Sequence, residues 1–141
     1  MRDQSTSVRV YIEDTDAGGV VFYANYLRYM ERARTEALRQ AGIDLVEWQH
    51  RHRRLFVVRA VRVDYRRPAR LDDVLTVHAH MTRIKRASLE CEQPIFRGDE
   101  RLVDACVTLA CIDADRLTPV RLPGEIVSVL SGAHGATEDR A

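Results

Sequence analysis

The residues best placed to do chemistry lie in one stretch, Thr15-Asp16-Ala17-Gly18-Gly19-Val20-Val21-Phe22-Tyr23-Ala24-Asn25-Tyr26. It sets a carboxylate, Asp16, in a glycine-containing loop directly before a run with helical spacing. Glycines let backbone approach a ligand closely. A helix N-terminus offers unpaired N–H groups and a partial positive charge. Those donors suit a carbonyl oxygen that becomes negative during acyl transfer. A carboxylate beside that carbonyl can attack it or deprotonate a water. Thioesters are weakly stabilised by resonance and their thiolate leaves readily, so this pair suffices for their hydrolysis without a Ser–His couple. Taken alone, the same pattern also describes an aspartate that caps its own turn.

The elements that must position this loop follow from hydrophobic spacing. Val8–Ile12 reads as a short strand and Glu13–Gly19 as a turn-rich acidic loop. Tyr26, Met30, Ala33, Ala37 and Ala41 recur at helical intervals, widened by Leu27 and Leu38. Asn25 is the expected N-cap and Gly42 the expected stop. Leu45–His52 predicts a short second helical segment. Beyond it the period becomes two, giving strands at Leu55–Tyr65, Leu75–Arg83, Ala87–Arg97 and Leu102–Ile112, with Gly98-Asp99 as a hairpin turn. One long helix followed by strands in tight succession implies an α+β domain with an antiparallel sheet. A five-stranded sheet curved around a central helix is the economical arrangement. Residues 1–130 then form one domain and 131–141 a small, polar, flexible tail. One helix cannot cover such a sheet and its edges, so a homo-oligomer is expected, a dimer at least.

Composition narrows the partners. Lys and Arg number 22 against 21 Asp and Glu, so no global field draws the chain onto nucleic acid or an anionic membrane. No apolar stretch is long enough to span a bilayer, and the polar start, Met1–Ser7, does not resemble a signal peptide. The three cysteines, Cys91, Cys106 and Cys111, are odd in number and lack CxxC spacing. They read as free thiols in a reducing cytoplasm, with neither a disulfide framework nor a zinc site.

Val10–Val21, continued by Asn25-Tyr26 and Glu31–Glu36, resembles the opening of hotdog-fold thioesterases, above all the Tol–Pal-associated, YbgC-type acyl-CoA thioesterases and the related 4-hydroxybenzoyl-CoA thioesterases. Phe56–Arg59, Pro68–Asp73 and Ser88-Leu89 add weaker similarity, and the likeness covers about residues 8–130. The resemblance implies a long central helix wrapped by an antiparallel sheet and hydrolysis of an acyl-CoA to a free acid and CoA. It implies Asp16 as nucleophile or general base. It assigns the oxyanion donor to the backbone N–H of Tyr23, with Gly19 and Val20 as neighbours. It places active sites at the subunit interface of dimers, often paired into homotetramers, and requires no cofactor. Phosphates of CoA would then need cations, for which Arg83, Lys85 and Arg86 with Ser88 are the candidates, and Arg59 and Arg66-Arg67 the weaker ones. A solvated hairpin turn is the alternative for that cluster. The chain departs from the pattern where some members carry histidine and it has Tyr23, and where they carry tyrosine and it has Ile12. A phenol in place of an imidazole is a hydrogen-bond donor and a poor base.

Other signals weigh less. His78 and His80 share a strand face but lack a third ligand, so no metal is expected. His50 and His52 with their arginines read as a solvated turn, and Glu31 and Glu36 as helix-surface partners for arginine. Neither a GxSxG elbow nor a P-loop is present. A dehydratase would want a histidine beside the acid, and this loop has none. A non-catalytic protein that binds acyl-CoA or an acyl carrier protein is the main rival to hydrolysis.

Overall fold

The computed structural model describes residues 4–133. Strand β1 (Gln4–Arg9) leads through a single 3-10 turn at Ile12–Asp14 into the Asp16 loop and then helix α1 (Asn25–Gln40). Helix α2 (Leu45–His52) precedes strands β2 (Arg54–Tyr65), β3 (Val74–Ile84), β4 (Ser88–Glu92), β5 (Ile95–Arg97) and β6 (Glu100–Asp113), and helix α3 (Gly124–Ala133) follows. The strands form one antiparallel sheet in the order β1-β3-β4-β6-β2, with β5 continuing the β4 position between β3 and β6. Helix α1 packs on this sheet, burying Tyr26, Tyr29, Met30, Ala33, Ala37 and Leu38. The small alanines let the backbone come close to β1 and β3. No helix among the described residues is long and apolar enough to cross a membrane.

Several expectations are corrected. The strand foreseen at Ala87–Arg97 is two strands, so the sheet has six. Pro94 cannot donate a ladder hydrogen bond, and the buried Gln93 turns its amide to the helix. Its Nε2 donates to the Met30 carbonyl at 2.9 Å, while its Oε1 accepts from Arg34 Nη1 at 2.9 Å. The first strand begins at Gln4 and ends at Arg9, because backbone pairing with Val74–Ala79 outweighs the polarity of Gln4–Ser7. Asn25 is the first helical residue, and Ala24 occupies the cap without a side-chain bond. Leu27 lies on the exposed side of α1, off the apolar stripe. A third helix, α3, extends across the boundary set at residue 130, and residues 134–141 of the expected tail lie outside the described residues.

Other expectations hold. Gly42 ends α1 with φ 91, a value glycine accepts without strain. Helix α2 forms at Leu45–His52 as expected, and the structure adds its cap, Asp44, whose Oδ1 accepts from the Val46 and Glu47 N–H groups. Gly98-Asp99 closes the β5–β6 hairpin, where Arg97 opposes Glu100. Cys91 and Cys111 are buried and Cys106 half-buried, and burial pushes the Cys106 and Cys111 thiols up from the ordinary value.

Candidate active site

Thr15 and Val21 bridge each other across the Asp16 loop. Inside it, the Asp16 N–H donates to the Val20 carbonyl at 2.9 Å and the Gly19 N–H to the Asp16 carbonyl at 3.1 Å. Gly19 has φ 81, which this tight turn requires and a Cβ would oppose. The loop is tied outward as well. Val20 bridges Arg70, and the Val21 N–H donates to the Ala69 carbonyl at 2.9 Å. The 66–73 segment that receives it is itself braced. Asp73 Oδ2 accepts from the Arg70 N–H at 2.8 Å and pairs with Arg97 at 2.7 Å. Desolvation acts to raise the Asp73 carboxyl, but the Arg70 N–H and the Arg97 guanidinium hold it below the usual range.

Asp16 is exposed. Its Oδ1 accepts from the Gly18 N–H at 2.8 Å, and among the described residues no donor meets its Oδ2. The loop-capping geometry is therefore present, and it engages one of the two carboxylate oxygens. The other is open to a ligand arriving from outside the chain. At the helix start, the Asn25 N–H donates to the Phe22 carbonyl and the Phe22 N–H to the Asp14 carbonyl. The N–H of Tyr23 has no intramolecular acceptor among the described residues. Its carbonyl accepts from the Tyr65 hydroxyl at 3.0 Å.

That hydroxyl ties β2 to the helix start and closes one side of a cavity of about 220 Å³ lined by Val21, Tyr23, Tyr26, Tyr65 and Arg66–Pro68. The rings of Tyr23 and Tyr65 meet edge to face at 6.4 Å, and Tyr26 packs on Tyr65 at 5.4 Å. Asp16 lies outside the lining of this cavity.

The remaining candidates are spread out. Arg83 closes toward the end of β3, while Lys85 and Arg86 sit in the β3–β4 turn, all three exposed. Lys85 Nζ lies 3.9 Å from Glu90. Ser88 is 5% exposed, and its carbonyl accepts from the Lys85 N–H. Arg59 is the extra residue of a β-bulge in β2, standing between Val58 and Ala60 without a β6 partner, and it is exposed. Arg66 and Arg67 pair with Asp104 and Glu100. No described cluster of three or more His, Cys, Asp or Glu side chains could hold a metal ion. Tyr65, Asp14 and the Asp73–Arg97 brace were not singled out in the sequence. The family similarity of Pro68–Asp73 was the signal that pointed to this loop.

A curved antiparallel sheet around one long helix, with a carboxylate loop feeding the helix start, is the hotdog architecture. Residues 18–104 match the model of the thioesterase superfamily, and the chain belongs to that superfamily. It is 42% identical over 122 residues to the acyl-CoA thioesterase YbgC of Haemophilus influenzae, covering 86% of this chain and 90% of that protein. The structure of a probable thioesterase from Bartonella henselae is 37% identical and superposes with a TM-score of 0.76, covering 86% of this chain and 98% of that one. A DHNA-CoA thioesterase structure from Staphylococcus aureus reaches a TM-score of 0.90 at 19% identity over 100% of this chain and 97% of that one, a likeness of fold alone.

Proposed function

We propose that the chain hydrolyses acyl-CoA thioesters to a free carboxylic acid and CoA, with Asp16 as the working carboxylate and the Tyr23 N–H as the oxyanion donor. The observation that carries this reading is the pairing of an open Asp16 oxygen with an unclaimed amide at the start of α1, in a chain of the thioesterase superfamily. The thioester carbonyl would point at that amide, with Gly19 and Val20 lining the approach. Either Asp16 attacks the carbonyl carbon and water cleaves the resulting anhydride, or Asp16 takes a proton from the attacking water. In both routes the C–S bond breaks and CoA leaves as thiolate; in the second, the proton held by Asp16 passes to that thiolate or to solvent, which regenerates the carboxylate.

The chain acts in this reading as a homodimer or dimer of dimers in the cytoplasm, where its free thiols would stay reduced. Arg83, Lys85, Arg86 and Ser88, with Arg59, are the proposed contacts for the CoA phosphates, reaching the site of a neighbouring subunit. An acyl carrier protein is a further proposed acyl donor.

Asp16→Asn keeps the shape and removes the charge. Assayed on a panel of acyl-CoAs with a thiol reagent, it should turn over at least ~100-fold more slowly than the wild type. Equal rates in the two proteins would remove Asp16 from this role, and a wild type that turns over none of the panel would favour a protein that binds acyl-CoA or acyl carrier protein without hydrolysis.

A further inference from the structure

Asp14 makes more connections around the site than Asp16 does. Its Oδ2 accepts from the Tyr11 N–H at 2.9 Å, closing the 3-10 turn. Its carbonyl accepts from the Phe22 N–H at 2.9 Å, next to the oxyanion donor. Its Oδ1 accepts from Asn25 Nδ2 at 2.9 Å, at the first residue of α1, in a half-buried position. One residue thus fixes the entry to the Asp16 loop, its exit and the helix it feeds.

Behind this pair lies Tyr29, 0% exposed, whose hydroxyl faces Asn25 and Asp14 without an aligned hydrogen bond to either. Burial first, then the Asp14 charge, push that phenol up to about 12 against the opposing contact with Asn25. It stays a neutral wall, and Asn25 is left as the donor that answers the Asp14 Oδ1.

We propose that Asp14, acting through Asn25, is a positioning residue for thioester hydrolysis: the pair sets the spacing between the Asp16 carboxylate and the Tyr23 N–H. The chemistry needs the two groups on opposite sides of one carbonyl, and a shift of about an ångström in such a pair can cost ~100-fold in rate. Substrate binding, spread over the rest of the CoA, depends on it far less. The proposal rests on the Asp16 reading.

An exchange of donor and acceptor tests it. Asp14→Asn leaves one amide oxygen to accept from Tyr11 but turns an NH2 toward the Asn25 NH2. Asn25→Asp alone sets two carboxylates against each other. The double variant again places one donor opposite one acceptor. Each single substitution should lower kcat about 10- to 100-fold with KM within about threefold of wild type. The double should recover to within about threefold of wild type kcat. An unchanged kcat in Asp14→Asn, a rise in KM alone, or a double no better than the weaker single would overturn the proposal. So would kcat losses that follow the thermal unfolding midpoints of the three proteins and ignore the donor–acceptor pattern. Asp16→Asn, run alongside, reads the underlying assignment separately: activity that survives it removes Asp16, while the exchange pattern still reports whether Asp14 and Asn25 are coupled.

Discussion

At the scale of single residues, the site separates side chains from backbone. Tyr23 is 64% exposed, and it is its main chain that is held, with the carbonyl on Tyr65 and the N–H left over. If the N–H is the oxyanion donor, the phenol is dispensable. Tyr23→Phe should then keep turnover within about threefold of wild type, whereas Tyr23→Pro, which deletes the N–H, should cost about 100- to 1,000-fold, the range for losing one such donor. Steady-state kinetics of the two variants decide it, and a large loss in Tyr23→Phe would return the role to the side chain. The turn-rich loop that holds Asp16 and the region where α1 begins were readable from residue order, because both lie in one continuous stretch. Asp14 was not, although it stands two residues from Asp16. An acidic residue in a turn looks the same in sequence whether it is solvated or bonded at three points, and its partners Phe22 and Asn25 come from the far end of the loop.

At the scale of elements, the joint between α1 and the sheet centres on Gln93 and Arg34. Gln93 is 0% exposed, and it is bonded to the Met30 and His78 carbonyls and to Arg34. Burial lowers the Arg34 guanidinium from its ordinary value. Removing Gln93 leaves that cation without this acceptor in a poorly solvated place. Gln93→Leu, close in volume, should destabilise the fold by about 2–4 kcal/mol. Urea unfolding with an unchanged m-value checks this, and a loss under about 0.5 kcal/mol, the size of an ordinary surface substitution, would mean that Arg34 finds water instead. The same residue marks where sequence periodicity falls short. Gln93 shares the parity of Leu89, Cys91 and Ile95, so alternation runs on through a point where the ladder breaks. Period two reports which face is buried, not whether neighbouring backbones stay paired. Helix α1 and strand β3 were legible because each buries one regular stripe. Helix α3 went unread, although Leu122, Ile126 and Leu130, all buried, repeat at intervals of four. Its run is short, and its partners are distant in sequence.

At the scale of the whole molecule, the sheet has two edges that differ sharply. Edge β1 is six residues long and starts Gln4-Ser5-Thr6-Ser7. Edge β2 is twelve residues long, with Val57, Val58 and Val61 exposed at 38%, 49% and 40%. A long apolar edge left open is a template for another strand. An isologous pair of β2 strands, antiparallel about a two-fold axis, would cover it with a second copy of itself. The Tyr65 end of β2 already holds the Tyr23 carbonyl, so a partner strand laid beside β2 would come close to the helix start. Such a partner would stand beside the helix start, where a single chain leaves Asp16 exposed. Val58→Asp combined with Val61→Asp puts charge on this edge in both copies, four carboxylates along one seam. Light scattering should then show the 16.1 kDa monomer where the wild type gives at least twice that mass. If the partner forms part of each site, turnover should fall about 100-fold along with the mass, the size of effect that misplacing reacting groups can have. A variant that stays dimeric would move the interface off β2, and a monomer with full activity would mean that one chain carries a complete site.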